Sequence, residues 1–122
     1  MQYDLEDRTR IFAKDIVELL MNIKITEINK NIISQLLKSS TSVGANYCEA
    51  NAASSKKDFR NKIYISRKEV QETKYWIEML VITNDSCKSE LRKIWREAHE
   101  LTLIFSKISS SLKNNQESKI GN

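Results

Sequence analysis

The sequence predicts an all-α protein, an antiparallel up-down-up-down four-helix bundle. The first observation is that 122 residues contain no proline and only two glycines, which denies β-hairpins the residues their turns require. The second is a succession of four runs whose apolar residues recur at three- and four-residue spacing. The third is that short polar turns join those runs, the connection that makes consecutive helices antiparallel neighbours. A chain of this length forms one domain and can bury a core without disulfides or metal.

The spacing places helices at about 5–25, 27–53, 56–84 and 87–112, with 1–112 forming the bundle and 113–122 a polar, disordered tail. Asp4 caps the first helix, and Glu6 and Asp7 occupy its positively polarised first turn. Its stripe is Leu5, Phe12, Ile16, Leu19 and Ile23. Thr26 caps the second helix, which carries Ile28, Ile32, Ile33, Leu36, Leu37, Val43, Gly44 and Tyr47. Gly44 costs roughly 1 kcal/mol of helix propensity relative to alanine. With Ser40 it lies in the apolar arc, which predicts close approach by a neighbouring helix.

Ser55 followed by Asp58 is a variant of the capping box and opens the third helix. Phe59, Ile63, Ser66, Val70, Thr73, Ile77 and Leu80 alternate spacings of four and three, the seam of a coiled-coil-like packing. Asp85 and Ser86 form the last turn, and Leu91, Ile94, Trp95, Ala98, Leu101, Thr102, Phe105, Ile108 and Leu112 make the fourth stripe. On the third helix Ile65, Trp76 and Met79 fall roughly opposite the seam. With Val17 and Met21 of the first helix they are expected to form a subunit interface.

Charge is unevenly distributed. The total is +4, yet six basic residues between Lys56 and Lys68 face Asp58 alone, so this segment carries +5 and the remainder −1. Lys56, Arg60, Arg67 and Lys74 lie within roughly 40° of one another around the helix, beside the seam. With Tyr64 and Tyr75 nearby, such a row suits phosphates and stacked bases. The nucleic-acid candidates are therefore Lys56, Arg60, Lys62, Arg67, Lys68 and Lys74. The competing reading of the same charge is a solvated helix face on a protein-interaction scaffold.

Catalytic and metal chemistry is not expected. Di-metal sites in bundles need paired Glu-x-x-His motifs, and the single histidine, His99, follows Arg96 at that spacing. No zinc motif or glycine-rich phosphate loop is present. Cys48 and Cys87 stand apart, as free thiols of a reducing cytosol do. Asn46 with Glu49, and Glu69 with Glu72, are pairs at three-residue spacing. Antiparallel counting from a turn near Ser54 sets Glu49 beside Arg60 and Lys38 beside Glu69, so ion pairs that fix register are expected rather than a catalytic site. The opening residues lack the apolar stretch of a signal peptide and no run reaches the length of a membrane span, so a soluble cytoplasmic protein is expected.

The stretch Ser40-Thr41-Ser42-Val43-Gly44-Ala45-Asn46-Tyr47-Cys48-Glu49-Ala50, followed by Ser55, Asp58-Phe59, Lys62, Lys68-Glu69, Glu72-Thr73 and Tyr75-Trp76, resembles the four-helix-bundle proteins encoded in intervening sequences of 23S ribosomal RNA genes. Relatives of that family include the accessory variability proteins of diversity-generating retroelements. The resemblance covers about Leu5 to Leu112. It implies a homopentameric, barrel-like ring, nucleic-acid binding through a basic surface, and a reverse transcriptase partner in the retroelement relatives. It also implies that Gly44, Asn46, Glu49, Glu69 and Glu72 are structural positions. The expected function is that of a non-enzymatic, oligomeric nucleic-acid-binding accessory protein, without cofactor.

Overall fold

A computed structural model describes the backbone of residues 4–120 and the side chains of residues 4–114. Four helices follow one another: α1 (Leu5–Met21), α2 (Lys30–Asn51), α3 (Lys56–Thr83) and α4 (Lys88–Ile120). Asp4 is extended and its carboxylate accepts the Asp7 N–H at 2.8 Å, so the predicted cap starts α1. Helix α1 ends four residues before the expected boundary. Asn22 closes it, its backbone N–H on the Leu19 and Leu20 carbonyls and its side-chain amide donating to the Glu18 carbonyl at 3.0 Å.

The segment that follows is held by a reciprocal box. The Thr26 N–H donates to Asn29 Oδ1 at 2.7 Å, the Asn29 N–H donates to Thr26 Oγ1 at 3.1 Å, and the Asn29 amide reaches the Lys24 carbonyl. Thr26 therefore caps a first turn, as expected, while continuous helix begins only at Lys30. Ser55 caps α3 by accepting the Asp58 N–H at 3.0 Å. Asn84 Oδ1 accepts the backbone N–H and hydroxyl of Ser86, which turns the chain into α4.

Helix α4 continues to Ile120, eight residues beyond the expected end at Leu112, so the backbone of 113–120 is helical rather than a disordered tail. Loss of apolar periodicity at Lys113 ends the core-facing stripe without ending the helix. No proline or glycine intervenes before Gly121, and an established helix propagates through polar formers at little cost. Residues 121–122 lie outside the described residues.

Helices α1 and α3 each pack against α2 and α4 and stand diagonally across the bundle. All seven expected seam positions of α3 turn inward: Ile63, Ser66, Val70, Thr73, Ile77 and Leu80 are buried, and Phe59 packs against them. They meet Phe12, Ile16, Leu36, Val43, Leu91, Ala98, Leu101 and Phe105 in one core. Small hydroxyls share this interior, and among the described residues all the buried ones except Ser109 find a partner there. The Ser66 hydroxyl donates to the Val43 carbonyl at 3.0 Å, and Thr73 Oγ1 lies 2.9 Å from Ser39 Oγ. Both contacts join α3 to α2 and fix their register in the middle of the interface.

Trp76 departs from the sequence expectation. It is half-buried and packs against the core, and its indole N–H is enclosed without an acceptor among the described residues. Ile65 and Met79 are also half-buried. The reason is rotational: Lys62, Glu69 and Trp76 recur every seven residues, and Lys62 reaches α2. The Trp76 ring therefore spans the flank toward α2 instead of the outermost line of α3. Of the five residues grouped as an outer interface, only Met21 is strongly exposed, at 79%.

Candidate nucleic-acid interface

The six basic candidates occupy three different surroundings. Lys62 lies on the α2 flank, its ammonium 2.7 Å from Glu49 Oε2. That contact raises the affinity of the amine for its proton, chiefly through the Glu49 hydrogen bond. Glu49 thus pairs with Lys62 and not with Arg60, a shift of two residues from simple counting. The four-residue connection ends on Ser55 as a cap, which moves the centre of the antiparallel register past Ser54.

On the opposite flank, Lys56, Arg60, Arg67 and Lys74 follow the side of α3 that meets α4. Arg67 sets its guanidinium carbon 5.9 Å from the Tyr64 ring centroid. Lys74 is engaged by α4: its ammonium lies 3.0 Å from His99 Nδ1 and 4.7 Å from the Trp95 ring centroid. Arg60 and Arg67 are half-buried and Lys56 is exposed.

The third surrounding is the outermost line of α3, and sequence reasoning had only part of it. Lys57 and Tyr64 are seven residues apart, as are Lys68 and Tyr75, and the two pairs are offset by about 20° on the same face. All four are exposed. Among the described residues, neither Lys57 nor Lys68 pairs with a carboxylate. Over about 27 Å this face alternates cation and ring. Lys57 is not among the six candidates read from the sequence. The periodicity of solvent-facing residues, rather than of the apolar seam, was the signal that would have found it.

The family-motif polar residues do not converge. Asn46 turns back to its own helix and donates to the Ser42 carbonyl at 2.8 Å, Glu49 holds Lys62, and Glu72 is exposed. Glu69 is half-buried, and its carboxyl is pushed above the usual range by burial and then by the charge of Glu72, against the pull of Lys68 and Lys38. Among the described residues no group of histidine, cysteine or acidic side chains could hold a metal ion. Cys48 Sγ donates to Glu6 Oε1 at 3.3 Å, and burial, followed by that acidic partner, raises its thiol. Cys87 is buried and raised for the same first reason.

A groove of about 580 Å³ lies between α1 and α4, lined by Phe12, Leu19 and Ile94 with Asp15, Glu18 and Glu90. Glu97, which also lines the groove, is bound by Arg8 through two nitrogens at 2.8 and 2.7 Å, and Arg8 also reaches Glu100. No described helix is long and apolar enough to cross a membrane.

The architecture defines an all-α four-helix bundle whose polar features are register-fixing ion pairs and a cationic, aromatic outer helix face. The profile of the 23S rRNA-intervening sequence proteins matches residues 2–93, and the chain belongs to that family. A solved structure from Bacteroides thetaiotaomicron, described as a protein of unknown function from the S23 ribosomal protein family, is 33% identical. The match covers 85% of this chain and 96% of that one, with a TM-score of 0.74. No curated protein matches the chain.

Proposed function

We propose that this protein is a non-enzymatic nucleic-acid-binding accessory protein that engages the phosphate backbone through the outer face of α3. The observation that carries the reading is the exposed line of Lys57, Tyr64, Lys68 and Tyr75, in which neither lysine forms a salt bridge among the described residues and both rings are open to stacking. Lysines supply phosphate contacts without reading sequence, and exposed aromatic rings stack on bases of any identity. The Lys56, Arg60, Arg67 and Lys74 row runs beside this face and extends the positive field. Lys62 is removed from the contact set because Glu49 occupies it. The proposal carries no cofactor and a cytoplasmic location.

Self-association belongs to the same proposal, as the homopentamer implied by the resemblance. Its support now comes from other residues. Met21, Ile25 and Ile28 are large aliphatic side chains at least 64% exposed at the end of the bundle where α1 passes to α2. Light scattering tests it: a monomer at micromolar concentration overturns this part and leaves the nucleic-acid part standing.

The decisive experiment is binding to a labelled single-stranded RNA as salt is varied. Affinity should fall steeply with salt, and Lys57→Glu with Lys68→Glu should weaken it by at least about tenfold and flatten the slope. Unchanged affinity in that double variant refutes the assignment. Retention of a specific protein with no RNA would favour the scaffold reading.

A further inference from the structure

We infer that His99 is a proton-operated latch on Lys74: neutral His99 holds the Lys74 ammonium against α4, and protonation releases it to complete a phosphate-binding row with Arg60 and Arg67. The inference rests on the nucleic-acid reading for its consequence but not for its geometry.

Lys74 Nζ lies 3.0 Å from His99 Nδ1. An ammonium has three donors and no acceptor, so this contact exists only when Nδ1 carries a lone pair and the ring proton sits on Nε2. The imidazole is held in place for this role. It stacks on Trp95 with centroids 5.4 Å apart and planes 5° from parallel, and Trp95 Nε1 donates to Glu78 Oε2 at 3.3 Å. The Trp95 face also receives the ammonium, 4.7 Å from its centroid. Lys74 is thus caught by two rings of α4, one turn apart, while a carboxylate of α3 steadies the second ring.

Protonation of His99 removes the acceptor and puts a second cation at hydrogen-bond distance from the first. Among the described residues the carboxylate on this flank is Glu78, which keeps its charge while accepting the Trp95 N–H and so offsets the repulsion only in part. From α3, Arg67, Lys74 and Glu78 share this flank, and Glu78 is committed to Trp95. On α4 the adjoining charges are Arg96 and Glu100, and Glu100 already binds Arg8 of α1. Helix α1 packs along the other side of α4, where Arg8 holds Glu97, and α2 does not pack on α4. The flexible Lys74 stem can swing outward, whereas the ring is stacked, so the lysine is the group that moves. Arg60, Arg67 and Lys74 recur every seven residues, which brings the freed cation into line with two others.

The test uses the full chain carrying Trp76→Phe, so that Trp95 is the sole tryptophan, titrated between about pH 8 and pH 5, the range in which histidine changes charge. Trp95 fluorescence should show one transition, absent in His99→Gln, because glutamine keeps an acceptor for Lys74 and cannot be protonated. In parallel, binding of a labelled oligouridylate at fixed ionic strength near 0.1 M should tighten about fivefold on acidification, with the salt slope steeper by about 0.7, as one added single-strand phosphate contact requires. Lys74→Met should lose that gain while keeping the fluorescence transition. A transition that persists in His99→Gln, or an acid gain that persists in Lys74→Met, overturns the latch. An intact transition without RNA binding at any pH overturns the nucleic-acid reading and the proposed consequence of the latch, and establishes only that His99 changes charge beside Trp95.

Discussion

Gly44 of α2 lies directly against Thr9 of α1: a Cβ at position 44 would sit 3.1 Å from Thr9 Oγ1 and 3.3 Å from Thr9 Cβ. Thr9 is fully buried and its hydroxyl donates to the Glu6 carbonyl at 2.9 Å, so it cannot swing aside. The glycine is helical and has no unusual backbone angle. It is present for space alone.

Gly44→Ala should accordingly destabilise the bundle by about 1 kcal/mol in urea unfolding. The helix-propensity gain, about 1 kcal/mol, is smaller than the typical 1–3 kcal/mol of overpacking when the neighbour is fixed. Adding Thr9→Ala, which removes Oγ1, should recover most of the loss relative to Thr9→Ala alone. Additive effects of the two changes would mean that the contact is not the cause.

Trp76→Glu should unfold or strongly weaken the monomer rather than separate intact subunits. Removing a large core-packed side chain costs about 3–5 kcal/mol, and the new carboxylate lands on the α2 flank near Glu69. Circular dichroism and denaturant titration read the outcome. Full helicity with a smaller particle in light scattering would restore Trp76 to an intersubunit surface.

Lys62→Gln separates structure from binding. Loss of the Glu49 contact should lower stability only slightly, since an ion pair at the surface is screened by solvent. RNA affinity should stay within about twofold of the parent, in contrast to Lys68→Glu. A tenfold loss in Lys62→Gln would return this lysine to the contact surface.

Glu69 gives a pH prediction with a definite sign. Its carboxyl is raised above the ordinary value, first by burial and then by Glu72, so folding favours the protonated form. The ionised carboxylate opposes folding in full above its raised value, and the penalty disappears below about pH 4, where the unfolded carboxyl is protonated too. Glu69→Gln should therefore be at least as stable as the parent at pH 7, with any advantage vanishing near pH 4 in thermal unfolding. A less stable variant at pH 7 would show that Lys38 and Lys68 outweigh burial.

Much of this protein was readable before folding was considered. Missing breakers, the caps at Asp4 and Ser55, and the alternating spacing from Phe59 to Leu80 specify four helices and the inward line of α3, because they depend on local backbone chemistry and on a 3.6-residue period. Ser39, Thr9 and Asn29 were not recognised as interior positions. A buried hydroxyl or amide carries no apolar signal, and its satisfaction by Leu36, Glu6 and Thr26 is visible only once the backbone is placed.

Charge shows the same division. Sequence alone determined that the positive excess belongs to the segment beginning at Lys56, since that is a matter of counting. Only the tertiary structure decided which cations remain available. Lys62 is held by Glu49, Lys74 by His99 and Trp95, while Lys57 and Lys68 face solvent. The physical reason is that a side chain's partner is set by helix rotation and interhelical register, and a shift of two residues in that register exchanges Arg60 for Lys62 at Glu49.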